Sequence, residues 1–275
     1  MRKRKRIIGL VTTILILIGI YVYMVSIKVV NMQSIDENVR KELYGDPIDK
    51  ETGMINNKYF GINEDGKEAK STTEGLNKAI NYAYNHNIAY IKLKKGKYLV
   101  NGEGERVDKK GIILKSNINL DLNNSTVIHE TNSSIRYSIL SIYNVENVTI
   151  SNGIIIGDKD THDYNTFDST HEWGFGIEIQ GSKNITIHNL EIKELTGDGI
   201  IVGSYIEGEE RKNSKDIYIF DNQIYECRRQ GITIGNSKNV KVYQNEIYNI
   251  SGTLPASTID IEPDFSIELA ENVEI

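Results

Sequence analysis

The feature that most constrains the fold is a short unit that recurs along the second half of the chain. The copies read ENVTISNGIIIG from Glu146, KNITIHNLEIKE from Lys183, KDIYIFDNQIYE from Lys215, KNVKVYQNEIYN from Lys238 and a final ENVEI. Their anchor residues are 37, 32, 23 and 33 positions apart: Asn147, Asn184, Asp216, Asn239 and Asn272. Constant strands between loops of variable length are typical of a solenoid, because stacking constrains the strands while the loops project freely.

The strands of this unit are too short to bury a face alone. Stacked about 4.8 Å apart, strands rich in isoleucine and valine enclose a continuous aliphatic core. The chain has only 3 prolines and as many as 16 tyrosines, which also favours strands. We therefore predict an all-β parallel β-helix. The bend after the second strand falls in register from coil to coil, and we expect a ladder of side-chain hydrogen bonds there, formed by Asn152, Asn189, Asp221 and Gln244.

Three stretches carry a resemblance to a known group of proteins. They are TEGLNKAINYAYNHN from Thr73, IKLKKGKYLV from Ile91 and the recurring NITI and GDGI patterns. Over residues 71–275 they resemble the right-handed parallel β-helix (solenoid) proteins of the pectin-lyase-like superfamily, related to polygalacturonases and pectate lyases. The resemblance implies an N-terminal cap with an α-helix over residues 71–110 and coils over 111–275. Because that superfamily also includes uronate epimerases, phage tailspikes and adhesins, it implies a polysaccharide partner without identifying one.

The start of the capping helix has a sequence signature of its own. Ser71 and Glu74 match a capping box, and Leu76, Ala79 and Ile80 follow at helical spacing. We therefore expect the folded domain and its helix to begin near Ser71.

The N-terminus has the pattern of a membrane anchor. Residues 1–6, MRKRKR, precede residues 7–25, which hold no charged side chain and are long enough to cross a bilayer, since a helix needs roughly 20 apolar residues. The cations predict a cytoplasmic segment 1–6, a single transmembrane signal-anchor 7–28, a linker 29–70 and an extracellular β-helix on the cell membrane. A cleaved signal peptide is the alternative, but its apolar stretch would be shorter and small residues would follow it.

Beyond residue 28 the chain is acidic. That part holds 26 basic and 38 acidic side chains, a formal charge of −12, which argues against nucleic acid as a partner but not against sugars or cations. The single cysteine, Cys227, excludes an internal disulfide. Nothing in the sequence indicates an oligomeric state. Because the final ENVEI breaks off inside a coil, we expect either that further coils follow or that the exposed end docks against something else.

Aligning the coils by their isoleucines predicts which side chains face outward. The inward residues are Ile177, Ile200, Ile232 and Ile259. One outward column then contains Glu178, Ile201, Thr233 and Asp260, and the next contains Gln180, Gly203, Gly235 and Glu262. Asp198 stands at the bend before its strand. We expect the acids to face solvent, because burying an unpaired carboxylate costs several kcal/mol.

Two segments of this face indicate acid and base chemistry. Asp260 and Glu262 would have Cα atoms ~6.6 Å apart along one strand. Carboxyl groups are ~6.5–9.5 Å apart in inverting glycosidases and ~5–5.5 Å apart in retaining ones. TGDGI resembles the NTDGI segment of polygalacturonases, which implies that Asp198 is a general acid. The family's second aspartate motif is RRQGI here, and its GHG and RIK motifs are absent. The alternatives are that Asp260 and Glu262 are two solvated acids and that TGDGI is a purely structural glycine turn.

An insertion between two coils indicates a sugar-binding wall. It reads GDKDTHDYNTFDSTHEWG, from Gly157 to Gly174, and contains the only tryptophan of the chain. We predict that Trp173 stacks on a pyranose ring and that nearby polar side chains bind its hydroxyl groups. These are His162, Asp163 and Glu172, together with Glu178 on the adjacent strand. The alternative is a polar surface loop with one anchoring tryptophan.

Arg228 and Arg229 lie one coil from Asp198. Either arginine could bind a uronate. Alternatively, resemblance to pectate lyases implies that an arginine accepts the proton and that calcium is held by Glu178, Asp198 and Asp260. Calcium is therefore expected only if the protein is a lyase, and no cofactor is otherwise implied. The spacing of His162 and His171 matches no metal-ligand pattern. IDIEPDF lacks the histidine of the epimerase DPH motif, which argues against an epimerase.

Two functions remain open from the sequence. The first is a membrane-anchored polysaccharide hydrolase or lyase acting on an anionic or acetylated glycan. In it Asp198, Asp260 and Glu262 supply acid and base, while His171 and Arg229 orient the substrate. Trp173, Glu172, His162, Asp163, Glu178 and Arg228 would bind the sugar. The second is a non-catalytic surface β-helix that binds glycans, as adhesins and tailspikes do.

Overall fold

The computed structural model describes residues 37–103, 111–263 and 269–275, and the chain divides into two units. The unit of residues 1–45 contributes helix α1 (Glu37–Tyr44). The unit of residues 46–275 contains helices α2 (Asn57–Phe60) and α3 (Ala69–Asn85) and the strands. The strands are β1 (Tyr90–Lys92), β2 (Lys97–Val100), β3 (Ile112–Ile113), β4 (Asn119–His129), β5 (Arg136–Tyr143), β6 (Glu146–Ile156), β7 (Trp173–Gln180), β8 (Lys183–Lys193), β9 (Asp198–Glu207), β10 (Glu210–Phe220), β11 (Gln223–Tyr225), β12 (Gln230–Ile234), β13 (Ser237–Tyr243), β14 (Glu246–Tyr248), β15 (Ser257–Ile261) and β16 (Ala270–Glu274).

The strands form three parallel ladders, one for each face of a β-helix. Strands β4, β6 and β8 belong to two faces; β1, β10, β13 and β16 extend the first, and β2, β11 and β14 extend the second. The third face is the ladder β3, β5, β7, β9, β12 and β15. There Ile177 pairs with Ile200, Ile200 with Ile232, and Ile232 with Ile259. The predicted parallel β-helix and its register are confirmed.

The interior of the coils is a stack of aliphatic side chains. Ile177, Ile200 and Ile232 are each 0% exposed. Rows of buried isoleucine and valine on the other two faces meet them in one continuous core. Helix α3 packs against β2 and β3 and buries Leu76 and Ile80, so it covers the core at the N-terminal side, as predicted.

The helix start was predicted wrongly. Helix α3 begins at Ala69, and Glu68 before it adopts a left-handed φ of 57° without a side-chain capping bond. The hydroxyl of Ser71 donates to the carbonyl oxygen of Glu68 at 3.2 Å, so Ser71 lies inside the first turn and does not cap it. The capping-box pattern matched, but Ser71 was already helical.

The predicted linker 29–70 is too long at its C-terminal end. Residues 46–70 belong to the same compact unit as the coils. Met54 bridges Lys92 of β1, and Asp65 bridges Lys97 of β2, so this segment extends the sheets. The periodicity of the sequence did not reveal this segment, because the segment pairs through single β-bridges and forms no strand of its own.

The continuous coil-to-coil amide ladder forms at a different turn from the one predicted, although at the predicted bend Nδ2 of Asn152 donates to Oδ1 of Asp121 at 3.2 Å. The Nδ2 atom of Asn147 donates to Oδ1 of Asn117 at 2.8 Å, and Asn184 donates to Asn147 at 2.8 Å. The ladder continues from Asn239 to Asp216 at 2.7 Å. These anchor residues all have φ between 55° and 63°. Asparagine tolerates that left-handed backbone, so one residue type meets both the conformational and the hydrogen-bonding requirement.

The predicted signal-anchor 7–28 lies outside the described residues. Among the helices of the described ranges, none is long and apolar enough to cross a membrane.

Candidate active site

The third face presents Asp198 because of a glycine beside it. A Cβ atom on Gly199 would lie 2.5 Å from Cγ2 of Ile224 and 2.7 Å from the carbonyl oxygen of Gly231. Only glycine fits this close approach to the core. Since Gly199 and Ile200 both face the interior, the strand alternation is interrupted there, and Asp198 faces away from the core.

Asp198 is nevertheless fully buried. Its Oδ2 atom accepts a hydrogen bond from Thr233 Oγ1 at 2.7 Å and lies 3.2 Å from Nη1 of Arg229. Burial raises the pKa of Asp198 to about 7, although Arg229 and Thr233 act in the opposite direction; Glu262 adds to the increase. The desolvation cost of the charged form therefore outweighs the ion pair. Asp198 is a carboxyl group that can carry a proton at neutral pH.

Arg229 joins Asp198 to a second carboxylate. Its Nη2 atom donates to both oxygens of Glu262, at 2.8 and 2.9 Å. Burial favours loss of its proton, but the charges of Asp198 and Glu262 outweigh this and raise the pKa of Arg229. The guanidinium is thus held in place and kept charged.

Gln230 connects the remaining acids. Its Nε2 atom donates to Oδ2 of Asp260 at 2.6 Å and to Oε2 of Glu262 at 3.0 Å. Its Oε1 atom accepts from Nη1 of Arg229 at 2.7 Å. The structure therefore brings four predicted residues, Asp198, Arg229, Asp260 and Glu262, into one network. Gln230 and Thr233 were missed as members of the site, although the column alignment had already placed Thr233 beside Asp260.

A groove lies over this network. The cavity, including its open mouth, has a volume of about 610 Å³ and is lined by Trp173, Arg229, Thr233 and Glu262. Its other wall is a hairpin, in which β9 and β10 pair antiparallel up to Glu207 and Glu210 and present Ile206 to the groove. Trp173 is 39% exposed, so its ring is available to a ligand. The hairpin was not predicted, because its strands continue two solenoid strands without a break.

The histidines of the insertion do not reach the groove. His162 and His171 are buried, and their rings hydrogen-bond to each other at 2.9 Å. His162 also contacts Oδ2 of Asp158 at 2.8 Å. The prediction that His171 orients substrate and that His162 binds it by direct contact is wrong, since both side chains are enclosed by the insertion that they hold together.

Two other predicted sugar-binding residues have structural partners. Arg228 donates to the carbonyl oxygen of Thr170 at 2.5 Å and lies 4.6 Å from the ring centroid of Tyr164. It therefore fastens the insertion. Asp163 lies on the outside of the insertion, where its Oδ2 accepts from Thr166 Oγ1 at 2.5 Å. Neither lines the groove.

Glu178 was expected to face solvent, and this is wrong. It is 0% exposed, and it accepts hydrogen bonds from Arg136 Nη2 at 2.6 Å and from the hydroxyl of Ser138. Arg136 supplies the counter-charge that makes the burial tolerable. The partner was missed because β5 does not match the repeat. Glu172 is half-buried, and its charge contributes to the raised pKa of Arg229, which places it near the network.

The acids proposed for calcium do not fit that ion. Glu178 is occupied by Arg136 and Ser138, Asp198 by Arg229 and Thr233, and Asp260 faces the amide of Gln230. Hydrogen-bond donors therefore stand where a cation would need to lie. Within the ranges that the structure describes, no three histidine, cysteine or acidic side chains are arranged to hold a metal ion.

Comparisons with known proteins agree with the architecture. A family model described as a right handed beta helix region matches residues 80–258. The chain is 33% identical over 222 residues to the uncharacterized protein YclG of Bacillus subtilis (strain 168), covering 76% of this chain and 38% of that protein. It is 31% identical over 218 residues to the SPbeta prophage-derived uncharacterized protein YorA of the same organism, covering 74% and 37%. The chain thus spans less than two fifths of the length of these relatives.

Two solved structures share the fold. A proposed glycosyl hydrolase from Parabacteroides merdae superposes with a TM-score of 0.52 at 16% identity, covering 79% of this chain and 93% of that one. The A-module of the mannuronan C-5 epimerase AlgE4 from Azotobacter vinelandii superposes with a TM-score of 0.53 at 17% identity, covering 78% and 62%. At such identities these likenesses concern the fold alone.

Proposed function

The chain belongs to the right-handed β-helix family, and we propose that it is a carbohydrate-active enzyme that hydrolyses a polysaccharide lying in the groove of the third face. The glycan would be anionic or acetylated. In the same proposal the enzyme is anchored in the cell membrane by residues 7–28 and faces outward, which rests on the sequence pattern.

One observation carries the proposal: a fully buried carboxyl group with a pKa of about 7 contacts Arg229 and Thr233, which line the groove together with Glu262. A general acid must hold its proton near the working pH and still release it in the transition state. Asp198 meets that requirement. An acid with a strongly perturbed pKa beneath a groove is a candidate for catalysis, and the cause here is burial, which outweighs the opposing effect of Arg229.

The roles of the other acids follow from their hydrogen bonds. Both oxygens of Glu262 accept from Arg229, so this carboxylate is fixed in position. Asp260 binds Gln230 through Oδ2, which leaves its Oδ1 atom to accept a proton from water. Asp198 would then protonate the glycosidic oxygen while Asp260, with Glu262 beside it, activates the water that attacks the sugar. Trp173 would stack on the sugar ring.

Hydrolysis is favoured over elimination by the state of Arg229. A lyase that used this arginine as its base would require a neutral guanidinium. The neighbouring carboxylates raise the pKa of Arg229, which makes that form less accessible. The guanidinium is also engaged by Asp198, Gln230 and Glu262. The site therefore fits a carboxyl acid and a carboxylate base better than an arginine base.

The two solved structures that share the fold support the substrate class of this proposal. One is a proposed glycosyl hydrolase and the other is an epimerase of mannuronan, so both names concern carbohydrate. We extend that substrate class to this chain because its groove joins an exposed tryptophan to an acidic network.

Glycan binding without cleavage is the second candidate. The observation that favours it is the double ion pair of Arg229, which engages Asp198 and Glu262 before any ligand arrives. Carboxylates held this firmly can serve as fixed hydrogen-bond acceptors for sugar hydroxyl groups.

The test is a panel of anionic and acetylated polysaccharides incubated with the wild type and with Asp198→Asn, Asp260→Asn and Glu262→Gln. We expect new reducing ends without an unsaturated sugar from the wild type, and their loss in Asp198→Asn and Asp260→Asn. Asp221→Asn, at an exposed coil bend, is the matched control and should retain activity. An unsaturated product would indicate elimination. Binding of a glycan with no product in any variant would identify a binding protein.

A further inference from the structure

Two glycines leave a notch in the floor of the groove. The outward column that begins at Gln180 and ends at Glu262 has Gly203 and Gly235 on the two coils between them. The backbone N–H of Gly235 donates to the carbonyl oxygen of Val202 at 2.8 Å, so the pairing between coils continues through this position. The notch is therefore a gap in the row of side chains and not a break in the sheet.

The fold does not require glycine at these two positions. Neither Gly203 nor Gly235 has a positive φ. Among the described residues, the atom nearest to a Cβ on Gly235 would be the carbonyl oxygen of Val202 at 3.2 Å, which a shift of a few tenths of an ångström relieves. A Cβ on Gly203 would meet the terminal atoms of the Gln180 side chain, the nearest at 2.6 Å. The absence of side chains here thus serves the open space above the strands, where a ligand group can lie.

The walls around the notch combine apolar side chains with hydrogen-bond donors. Ile201 and Ile206 line the groove, and Ile206 is 48% exposed. Asn236 also lines it and is only 5% exposed, and one N–H of its amide donates to Oδ1 of Asn213 at 2.8 Å. Within the described ranges, the second N–H has no acceptor and the hydroxyl group of Ser204, another lining residue, has no partner. A ligand group that carries both a methyl group and a carbonyl oxygen matches these walls.

The charge of the site disfavours an anionic sugar. The network beneath the groove contains three acids, Asp198, Asp260 and Glu262, and one cation, Arg229. Even with a proton on Asp198, two carboxylates and one guanidinium leave one net negative charge. Arg211, the other cation that lines the groove, already interacts with another group. Because like charges brought together suppress binding, a neutral glycan fits this groove better than a uronate.

We propose that the notch is the specificity site of the groove and that it takes an acetyl group of a neutral, acetylated glycan. The methyl group lies against Ile201 and Ile206, and the carbonyl oxygen accepts from the amide of Asn236 and the hydroxyl of Ser204. An O-acetyl ester and an N-acetyl amide both present this chemistry. The inference rests on the proposed function, since it selects one of the two glycan classes named there.

Matched glycans test the proposal by calorimetry at neutral pH with the full chain. The probes are O-acetylated glucomannan and the same polymer after alkaline deacetylation, a hexamer of N-acetylglucosamine and the corresponding glucose hexamer, and polygalacturonate. Binding is measured in Asp198→Asn, so that no probe is cleaved. In at least one pair the acetylated member should bind about tenfold or more tightly than its counterpart, because a pocket that encloses one additional methyl group discriminates to that degree. The two pairs distinguish an ester from an amide.

Two results would overturn the proposal. One is equal affinity within both pairs, and the other is tighter binding of polygalacturonate than of either acetylated probe. Absence of binding to every probe would contradict both the notch and the proposed function.

Variants of the notch locate the acetyl group. Gly235→Val fills the notch and should abolish the preference for the acetylated probe, and Gly235→Ala should reduce it. Ile206→Ser removes one apolar wall and should reduce the preference several-fold, which keeps the proposal testable if Gly235→Val does not fold. Ile135→Ser is the matched control, because Ile135 is 40% exposed and does not line the groove, and it should leave the preference unchanged. A full preference in both Gly235→Val and Ile206→Ser would place the acetyl group elsewhere and refute the assignment.

Activity measurements separate this inference from the proposed function. Cleavage by the wild type with no preference for acetylated glycans would leave the hydrolase in place and refute the notch. Binding that depends on the acetyl group, without any product from the wild type, would support the notch and refute the enzyme. Cleavage of an acetylated glycan, with loss of activity on its deacetylated form, would support both.

Discussion

Replacing Asp198 by asparagine should remove most activity and stabilise the protein at alkaline pH. The ordinary pKa of this carboxyl group is 3.8, and burial raises it to about 7 in the folded protein. The folded state therefore binds the proton more tightly than the unfolded state. Stability is fully present below about pH 4, falls as the pH rises, and reaches its lower value above about pH 7.

The magnitude follows from the size of the shift. The increase from 3.8 to about 7 is about 3 pKa units. At 1.36 kcal/mol per unit, ionised Asp198 costs the fold on the order of 4 kcal/mol. Asparagine has the shape of the protonated acid and no charge to desolvate, so Asp198→Asn should recover most of that free energy at pH 8 and little of it at pH 4. Loss of a general acid should lower kcat by about 10² to 10⁴-fold.

The assay is urea unfolding followed by circular dichroism at both pH values, with kcat measured beside it. Asp221→Asn, an acid-to-amide change at an exposed bend, serves as the control and should shift neither stability nor rate. A variant that gains no stability at pH 8 relative to pH 4 would refute the reasoning that desolvation dominates at Asp198. Retained kcat would refute its role as the acid.

Three further changes have distinct expected outcomes. Thr233→Val removes a hydrogen bond that favours ionised Asp198, so the alkaline limb of the pH profile of kcat/KM should move up by about one unit. Trp173→Ala should raise the KM for polysaccharide up to about tenfold with little change in kcat, measured by initial rates, because ring stacking contributes about 0.5–1.5 kcal/mol. Gly199→Ala should lower the free energy of unfolding by about 1–3 kcal/mol, measured in urea, because its Cβ would lie 2.5 Å from Ile224.

Each of these has a result that would contradict it. An unmoved alkaline limb in Thr233→Val would mean that another group controls the profile. An unchanged KM in Trp173→Ala would place the sugar elsewhere. Gly208→Asn, in the hairpin turn with φ of 63° and open space around it, is the control for Gly199→Ala and should be nearly neutral. Equal effects of the two glycine changes would contradict the close-approach argument.

The coils were predictable because their signal is local and repeated. An isoleucine every second residue and a polar anchor at each turn specify strand, register and inward face together. Asn147 and Asn184 form the continuous ladder that we had predicted for Asn152 and Asn189. Both sets have positive φ, so the sequence shows where the chain turns but not which side chains meet across coils.

The charged members of the site and Trp173 were predicted from the sequence. Asp260 and Glu262 follow from strand alternation, and Asp198 follows from the TGDGI resemblance. The raised pKa of Asp198 could not be read from the sequence, since it depends on the burial of this side chain in the folded protein. Gln230 was not predicted because a neutral amide side chain in the sequence does not by itself indicate a catalytic or binding role.

The buried partners of Glu178 and of the two histidines were also missed. Arg136 meets Glu178 across 42 positions of sequence, and Asp158 contacts His162 inside the insertion. The first pairing joins two distant strands and the second lies within an irregular loop, and a search for periodicity detects neither. A buried carboxylate requires a partner, so the search for one near each acidic column would have indicated Arg136.

The most direct test of the proposed acid catalysis is a structure of Asp198→Asn with a bound oligosaccharide from the polysaccharide panel. The expected result is a glycosidic oxygen within about 3.2 Å of the substituted side chain, with a sugar ring on Trp173 and a water molecule near Asp260 on the opposite side. An oligosaccharide bound away from the third face, or one whose glycosidic oxygens all lie out of reach of position 198, would contradict the assignment of Asp198 as the acid.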